Sequence, residues 1–207
     1  MFKKLFSLVT IMALILSMTA CGNKAEKALD EIAVQKTGLY ENPINFTIEM
    51  ENGGIMKGEL YPNLAPKTVE NFVKLVDSKF YDGLIFHRVI DGFMIQGGGF
   101  DKDMMPKETE SITGEFTANG FNNELKHTKG VLSMARTNDP NSASSQFFIM
   151  HQTAQHLDGQ YAGFGRITSG FEIINEIAKA ETTVYQAYGM SDVPVEPQII
   201  KTITIDK

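Results

Sequence analysis

Three short segments of the chain contain most of the residues that could carry chemistry. They are Phe86–Gly98, Leu132–Arg136 and Ser145–Ile149, which combine arginines and glutamines with aromatic and aliphatic side chains. Ser144 and Ser145 have no identifiable general base, so the sequence does not indicate a hydrolase. The four histidines, His87, His127, His151 and His156, do not have the spacing of a metal site. No carboxylate lies at a sequence distance from them that is typical of a histidine partner. We therefore predict a site that uses neither a metal nor a cofactor.

The same segments resemble the cyclophilin family of peptidyl-prolyl isomerases. The resemblance covers residues 42–206 and includes Phe86–Arg88, Ala65–Phe72 and Leu157–Gly159. It implies the family's fold, which is mainly β: a closed eight-stranded antiparallel β-barrel, filled by side chains and capped by two α-helices. It also implies the family's activity, the cis–trans isomerisation of X-Pro bonds.

The resemblance implies a role for individual residues. Arg88 and Gln96 take the catalytic positions, and Gln96 is expected to support the arginine and touch the substrate. The proline pocket would be formed by Phe93, Met94, Phe148 and Leu157. The other substrate-binding positions are Phe86, Ala135, Arg136, Gln146, His156 and Tyr161. Three of these differ from familiar members: Arg136 replaces Asn, His156 replaces Trp, and Tyr161 replaces His.

These residue types suit X-Pro isomerisation on chemical grounds. Rotation about the bond has a barrier of about 18–20 kcal/mol, because the nitrogen lone pair is conjugated with the carbonyl. A fixed guanidinium at Arg88 that binds the prolyl carbonyl and approaches the nitrogen favours the twisted state over the planar one. An acceleration of about 10⁴- to 10⁵-fold corresponds to roughly 5.5–7 kcal/mol. Positioned electrostatics and orientation can supply this without covalent catalysis.

Hydrophobic patterning predicts the elements that must position these residues. Alternating apolar residues predict strands at Ile44–Met50 and Ile55–Tyr61, joined by a hairpin turn at Asn52–Gly54. Helical spacing predicts helices over Pro66–Ser78 and Phe171–Ala178. Further strands are predicted at Leu84–Ile90, Phe93–Gln96, Val131–Ala135, Phe147–Met150, Ala162–Thr168 and Ile199–Ile205. Many short strands with only two helices favour a closed sheet over βαβ layering.

The N-terminus has the pattern of a secretion signal. Lys3 and Lys4 precede the apolar run Leu5–Leu16, and small residues follow. Met18–Cys21 resembles a bacterial lipobox, in which the cysteine is acylated, and Cys21 is the only cysteine of the chain. We predict a signal peptide at residues 1–20, a polar tether at 21–42 and an isomerase domain at 43–207.

Charge and composition limit the partners of the protein. The 207 residues carry a net charge of −6, and removal of Lys3 and Lys4 would change it to −8, so nucleic acid is not an expected partner. Attachment to a membrane would depend on lipid at Cys21. We expect a monomer anchored to the extracytoplasmic face of the cell membrane that acts on proline-containing segments of exported proteins. An uncleaved anchor, or a conventional signal that leaves Cys21 free, is the alternative.

Two further alternatives use the same fold without catalysis. A binding module or holdase would hold proline-containing segments in the groove, but such a module has no need for Arg88. An adhesin or sensor would bind one partner strongly and show negligible turnover on peptides. The polar segment Asp101–Gly120 lies in a long connection, where partner-specific contacts are expected.

Overall fold

In the computed structural model, which describes residues 41–206, eight strands close into an antiparallel β-barrel. The barrel strands are β1 (Ile44–Met50), β2 (Ile55–Leu60), β3 (Leu84–Ile90), β4 (Met94–Asp101), β5 (Val131–Met134), β6 (Phe147–Met150), β7 (Gly163–Ser169) and β10 (Gln198–Ile205). Around the barrel they follow the order β1-β10-β3-β4-β6-β5-β7-β2. Two α-helices, α1 (Pro66–Asp77) and α2 (Phe171–Ala178), complete the barrel domain. The predicted fold class is confirmed.

The first hairpin forms for local reasons. Strands β1 and β2 pair from Ile44 with Leu60 to Glu49 with Ile55. Gly53 adopts a φ of 88°, a conformation that glycine reaches without steric penalty, and the Gly54 N–H donates to the Asn52 side chain at 3.0 Å. The turn residues and the alternation of buried and exposed positions therefore fix this register together.

The barrel interior is a single aromatic and aliphatic core. Phe72 projects from α1 into its centre, where four rings lie with centroids between 5.2 and 6.1 Å from its own: Phe46, Tyr81, Phe147 and Phe164. From α2, Ile174, Ile177 and Ala178 are buried in the same core. Both helices bury one face in this core, so the barrel interior is filled with side chains.

A buried carboxylate caps helix α1. The residue before the helix, Ala65, has no side chain that could cap it. Glu115 replaces the missing cap, because its carboxylate accepts the N–H groups of Lys67 and Thr68 at 3.0 and 2.8 Å and the Thr68 hydroxyl at 2.7 Å. Glu115 belongs to the long connection between β4 and β5. Part of the segment expected to offer partner contacts therefore has a structural role.

Two features of the sheet differ from the prediction. Strand β4 extends to Asp101, past the predicted end at Gln96, and includes Gly97, Gly98 and Gly99. The neighbouring chain lies close to this stretch: a Cβ at Gly99 would lie 2.5 Å from the Gln146 side chain. The second feature is a separate hairpin of β8 (Thr182–Tyr185) and β9 (Met190–Pro194), which the hydrophobic pattern does not reveal.

The N-terminal predictions lie outside the described residues. These are the signal peptide at 1–20, Cys21 and all but the last two residues of the tether at 21–42. Within residues 41–206, no helix has the length and apolar character needed to span a bilayer.

Candidate functional site

A groove on the outer surface of the barrel collects most of the predicted site residues. It encloses about 530 Å³. Its lining consists of Arg88, Phe93, Met94, Gln96, Ala135, Arg136, Phe148, His156, Leu157, Gln160 and Tyr161. Of the predicted set, Gln146 lies at the groove edge, where it lines the neighbouring cavity together with Gln96. Gln160 is an additional lining residue that the sequence did not single out.

Strand register explains why residues far apart in sequence meet here. Arg88 of β3 pairs with Gln96 of β4, Gln96 pairs with Phe148 of β6, and Phe148 pairs with Ser133 of β5. Directly paired residues of antiparallel strands present their side chains on the same face of the sheet. Four adjacent strands therefore supply one row of side chains across the outer face, with the arginine at one end.

The apolar part of the groove is formed by buried and half-buried side chains. Met94, Phe148 and Leu157 are buried, and Phe148 is only 5% exposed. Phe93 and the exposed His156 stack at the rim with ring centroids 5.8 Å apart. The exposure of His156 therefore places it at the rim of the groove. A pyrrolidine ring can enter this pocket without a polar group being buried.

A hydrogen-bonded histidine supports Phe148 from behind. The His127 ring stacks on Phe148 with centroids 6.0 Å apart. His127 Nδ1 lies 3.2 Å from Asp158 Oδ1, and Nε2 lies 2.9 Å from Ser133 Oγ. Because a carboxylate only accepts, Nδ1 carries the proton and the Ser133 hydroxyl donates to Nε2. Burial lowers the pKa of His127, so the ring is neutral at pH 7.

The contact between His127 and Asp158 corrects one prediction from the sequence, namely that the histidines have no carboxylate partner. Asp158 is 31 residues from His127 and reaches it through the tertiary fold. His151 is also held by residues distant in sequence: its Nδ1 accepts the N–H of Gly92 at 2.9 Å, and its Nε2 donates to Asn175 Oδ1 at 2.8 Å. No spacing rule for short motifs detects contacts of this kind.

Arg136 forms the wall opposite Arg88. Its guanidinium carbon lies 4.9 Å from the centroid of the Phe116 ring and 4.7 Å from that of Tyr161. The guanidinium also donates to the carbonyls of Gln160 and Thr137, at 3.0 and 2.8 Å for the shorter bonds. Tyr161 meets Phe148 edge to face, with ring centroids 5.7 Å apart. Arg136 therefore holds the aromatic wall in place through cation–π contacts.

The chain leaves β5 at Met134 and continues toward this wall. The N–H of Ala135 donates to the carbonyl of Gln146 at 2.9 Å. This N–H is therefore already paired within the sheet, and a bound peptide would have to pair with other backbone groups along this edge.

The surroundings of Arg88 include a residue outside the predicted set. Gln96 is expected to support the arginine; its Nε2 donates to Gln146 Oε1 at 3.0 Å, and no hydrogen bond joins it to Arg88 among the described residues. The charged group beside Arg88 is Asp192 of β9, whose Oδ2 lies 3.7 Å from the arginine Nε. Asp192 was not among the predicted residues, because nothing in its local sequence links it to Arg88.

Phe86 does not line the groove, contrary to the prediction. It is fully buried and meets Phe147 in the barrel core, with ring centroids 6.0 Å apart. Simple alternation would place Phe86 and Arg88 on the same face of β3. The pairing with β4 shifts between them, from Phe86 with Gly97 to Arg88 with Gln96. This bulge turns Phe86 inward while Arg88 faces the groove.

Metal chemistry has no candidate site in the part of the chain that the structure describes. Residues 41–206 contain no cluster of three or more His, Cys, Asp or Glu side chains that could hold an ion. The groove instead offers one half-exposed guanidinium, two amide side chains at its edge and an apolar pocket. This arrangement can hold a neutral ring and present a cation to a neighbouring carbonyl.

Comparisons with known proteins identify the family of the chain. Residues 45–205 match the family model for cyclophilin-type peptidyl-prolyl cis-trans isomerases. A peptidyl-prolyl cis-trans isomerase of Acinetobacter baylyi is 41% identical over 167 residues, which cover 78% of this chain and 86% of that protein. Peptidyl-prolyl cis-trans isomerase B of Escherichia coli is 39% identical over 165 residues, covering 75% of this chain and 96% of the relative.

Solved structures give the same result. The crystal structure of a cyclophilin-type isomerase from Cryptosporidium parvum is similar with a TM-score of 0.66 at 31% identity, covering 80% of this chain and 98% of that one. A second crystal structure of that isomerase, determined in the presence of the dipeptide Ala-Pro, has a TM-score of 0.65 at 32% identity and covers 79% of this chain and 99% of that one. The chain belongs to the cyclophilin family and is a peptidyl-prolyl cis-trans isomerase.

Proposed function

We propose that Arg88 is the catalytic residue of this isomerase and that the apolar pocket around Phe148 holds the proline ring of the substrate. One observation carries this proposal: the register places Arg88, Gln96 and Phe148 in one row across β3, β4 and β6. A proline seated over Phe148 then has its carbonyl on the side of the guanidinium. Gln96, held by Gln146, supplies a fixed amide between them.

The chemistry requires stabilisation of a twisted amide rather than bond cleavage. As the C–N bond rotates, conjugation is lost, the nitrogen becomes pyramidal and its lone pair becomes basic. Arg88 binds the prolyl carbonyl and can donate toward this lone pair, an interaction that the planar ground state offers only weakly. Interactions that are stronger in the transition state than in the ground state raise the rate.

Proline exchange on a short X-Pro peptide tests the role of Arg88. The full chain in mild detergent should catalyse the exchange, and Arg88→Ala should reduce kcat/KM by about 100-fold or more, which corresponds to roughly 2.7 kcal/mol. Arg88→Lys should fall between the two, because Lys keeps the charge but lacks the planar fork. Lys57→Ala, which removes an exposed cation from β2, is the control and should retain full activity. Full activity of a folded Arg88→Ala protein would contradict the assignment and favour a role in binding alone.

We further propose that the enzyme acts outside the cytoplasm, as a monomer attached to the outer face of the cell membrane by lipid on Cys21. The support is the sequence Met18–Cys21 after a basic and apolar leader, together with the position of the only cysteine. The net charge of −8 after loss of the leader would not favour an anionic leaflet, so attachment would depend on acyl chains. Its substrates would then be proline-containing segments of exported proteins.

Metabolic labelling with a palmitate analogue in a bacterial host tests the anchoring. The full chain should incorporate the label and sediment with membranes. Cys21→Ser is the matched control, since it changes one atom of the acceptor, and it should lose the label. Equal membrane association of both proteins without label would indicate an uncleaved anchor instead.

A further inference from the structure

The β8–β9 hairpin brings a carboxylate to the catalytic groove from outside the barrel. Asp192 Oδ2 lies 3.7 Å from Arg88 Nε, and the two side chains are 35% and 38% exposed. Ser191 donates its hydroxyl to the same oxygen at 3.2 Å. Among the described residues, Asp192 is the charged group paired with Arg88. The β8–β9 hairpin, which lies outside the barrel, thus places a negative charge next to Arg88.

The backbone fixes where this carboxylate lies. Asp192 has a φ of 62°, a conformation that non-glycine residues seldom adopt and that Asp and Asn tolerate best. The next residue, Val193, pairs with Thr183 across the hairpin and is buried against Ile85 of β3. Since Ile85 and Arg88 belong to the same strand, this anchor ties the position of Asp192 to that of the arginine.

We propose that Asp192 is the positioning residue of Arg88. Its carboxylate lies on the Nε side of the guanidinium, so the ion pair does not occupy the two terminal nitrogens that can bind the substrate. Within residues 41–206, the guanidinium pairs with Asp192 and forms no hydrogen bond with Gln96, whose amide nitrogen donates to Gln146. A long arginine side chain loses considerable rotamer freedom when it is fixed, and a partner that is already in place reduces what the substrate must order. This inference rests on the proposed catalytic role of Arg88.

Asp192→Asn is the appropriate variant, because Asn removes the charge and still tolerates the positive φ. Glu181→Gln is the matched control: it removes one negative charge next to β8, and the backbone carbonyl of Glu181 that binds Val195 is retained. At low salt we expect kcat of Asp192→Asn to fall about two- to fivefold with KM nearly unchanged, as suits a half-exposed ion pair. The difference in kcat between Asp192→Asn and the unmodified protein should become smaller in 0.5 M salt, since exposed charges are screened.

An NMR measurement separates positioning from a general structural effect. The chain has three arginines, so the Nε–Hε signal of Arg88 can be assigned by its loss in Arg88→Lys. This signal should exchange slowly with water in the unmodified protein and in Glu181→Gln, and it should exchange faster in Asp192→Asn. If Asp192→Asn unfolds, Asp192→Gly provides the same test, because glycine adopts a φ near +60° without strain.

Two results would overturn the inference. One is a kcat of Asp192→Asn equal to that of Glu181→Gln. The other is a lower kcat with an unchanged Arg88 signal, which would mean that Asp192 acts through another group. Failure of the catalytic assignment is recognised separately: Arg88→Ala would then retain activity, while the NMR signal would still report whether the ion pair exists.

Discussion

The two walls of the groove are built in different ways. The proline pocket lies on barrel strands, and its central ring, Phe148, is supported by His127, which is itself held by Ser133 and Asp158. The opposite wall presents Arg88, which is half exposed. Its ion-pair partner among residues 41–206 is Asp192, on a hairpin outside the barrel.

The two walls therefore have different tasks: one binds the proline ring, and the other positions the charge of Arg88. A pocket made of buried rings and satisfied polar groups is part of the folded core, so its shape is maintained by the stability of the whole domain. A half-exposed ion pair adds little to stability, and its geometry can change without unfolding the protein. Changes in the pocket should therefore affect folding and binding together, whereas changes around Arg88 should affect the rate alone.

Phe148→Ala gives the largest expected effect on stability. Removing the ring leaves a cavity above His127, so the free energy of unfolding should fall by about 3 kcal/mol or more. KM should rise at the same time, because the ring also forms the floor of the proline pocket. Chemical denaturation and proline-exchange kinetics check the two effects. If Phe148→Ala changed only KM and left stability intact, the pocket would not be part of the core.

Acid should destabilise the protein through His87, the buried neighbour of Arg88. Burial lowers the pKa of His87 to about 4 from an ordinary value of 6.5, and its Nδ1 has no hydrogen-bond partner among the described residues. Below pH 6.5 the unfolded chain therefore binds a proton at His87 that the folded chain does not bind. The free energy of unfolding that is present above pH 6.5 is lost as pH falls toward 4. The loss is on the order of 3 kcal/mol.

His87→Gln should remove this part of the acid dependence. Denaturation curves between pH 7 and 4 should have a shallower pH slope for the variant. A residual slope is expected, because burial also lowers the pKa of His127. An identical slope for both proteins would show that His87 becomes protonated without penalty.

Ser133→Ala tests the support behind the pocket with a smaller change. The variant leaves His127 Nε2 without its donor in a buried site, which should lower the free energy of unfolding by about 1–3 kcal/mol. KM should rise more than kcat falls, because Phe148 loses a fixed backing. Ser169→Ala, at the exposed end of β7, is the control, and it should leave KM unchanged. An increase in kcat for Ser133→Ala would contradict the separation of the two walls.

Arg136→Met gives the smallest expected effect. The variant keeps an unbranched side chain but loses the cation–π contacts with Phe116 and Tyr161, so stability should fall by about 1 kcal/mol. KM should rise severalfold as the Tyr161 wall loosens. If kcat fell by a larger factor than KM rose, Arg136 would contribute its charge to the reaction. The groove would then have a catalytic cation on each of its two walls.

Local sequence patterns predict much of this fold. The β1–β2 hairpin and helix α1 lie where alternation and helical spacing place them, because each depends on residues close in sequence. Phe86 shows the limit of such patterns. A bulge between β3 and β4 reverses its orientation, and a bulge depends on the partner strand rather than on the strand's own residues.

By itself, the sequence determined the family, the barrel class and most of the residues that line the groove, because short motifs and periodicity carry that information. Only the tertiary structure decided which side chains surround the groove residues. The distances from Asp192 to Arg88, from Asp158 to His127 and from Gln146 to Gln96 depend on contacts between segments far apart in the chain. Barrel closure sets these contacts, and no local rule of spacing encodes it.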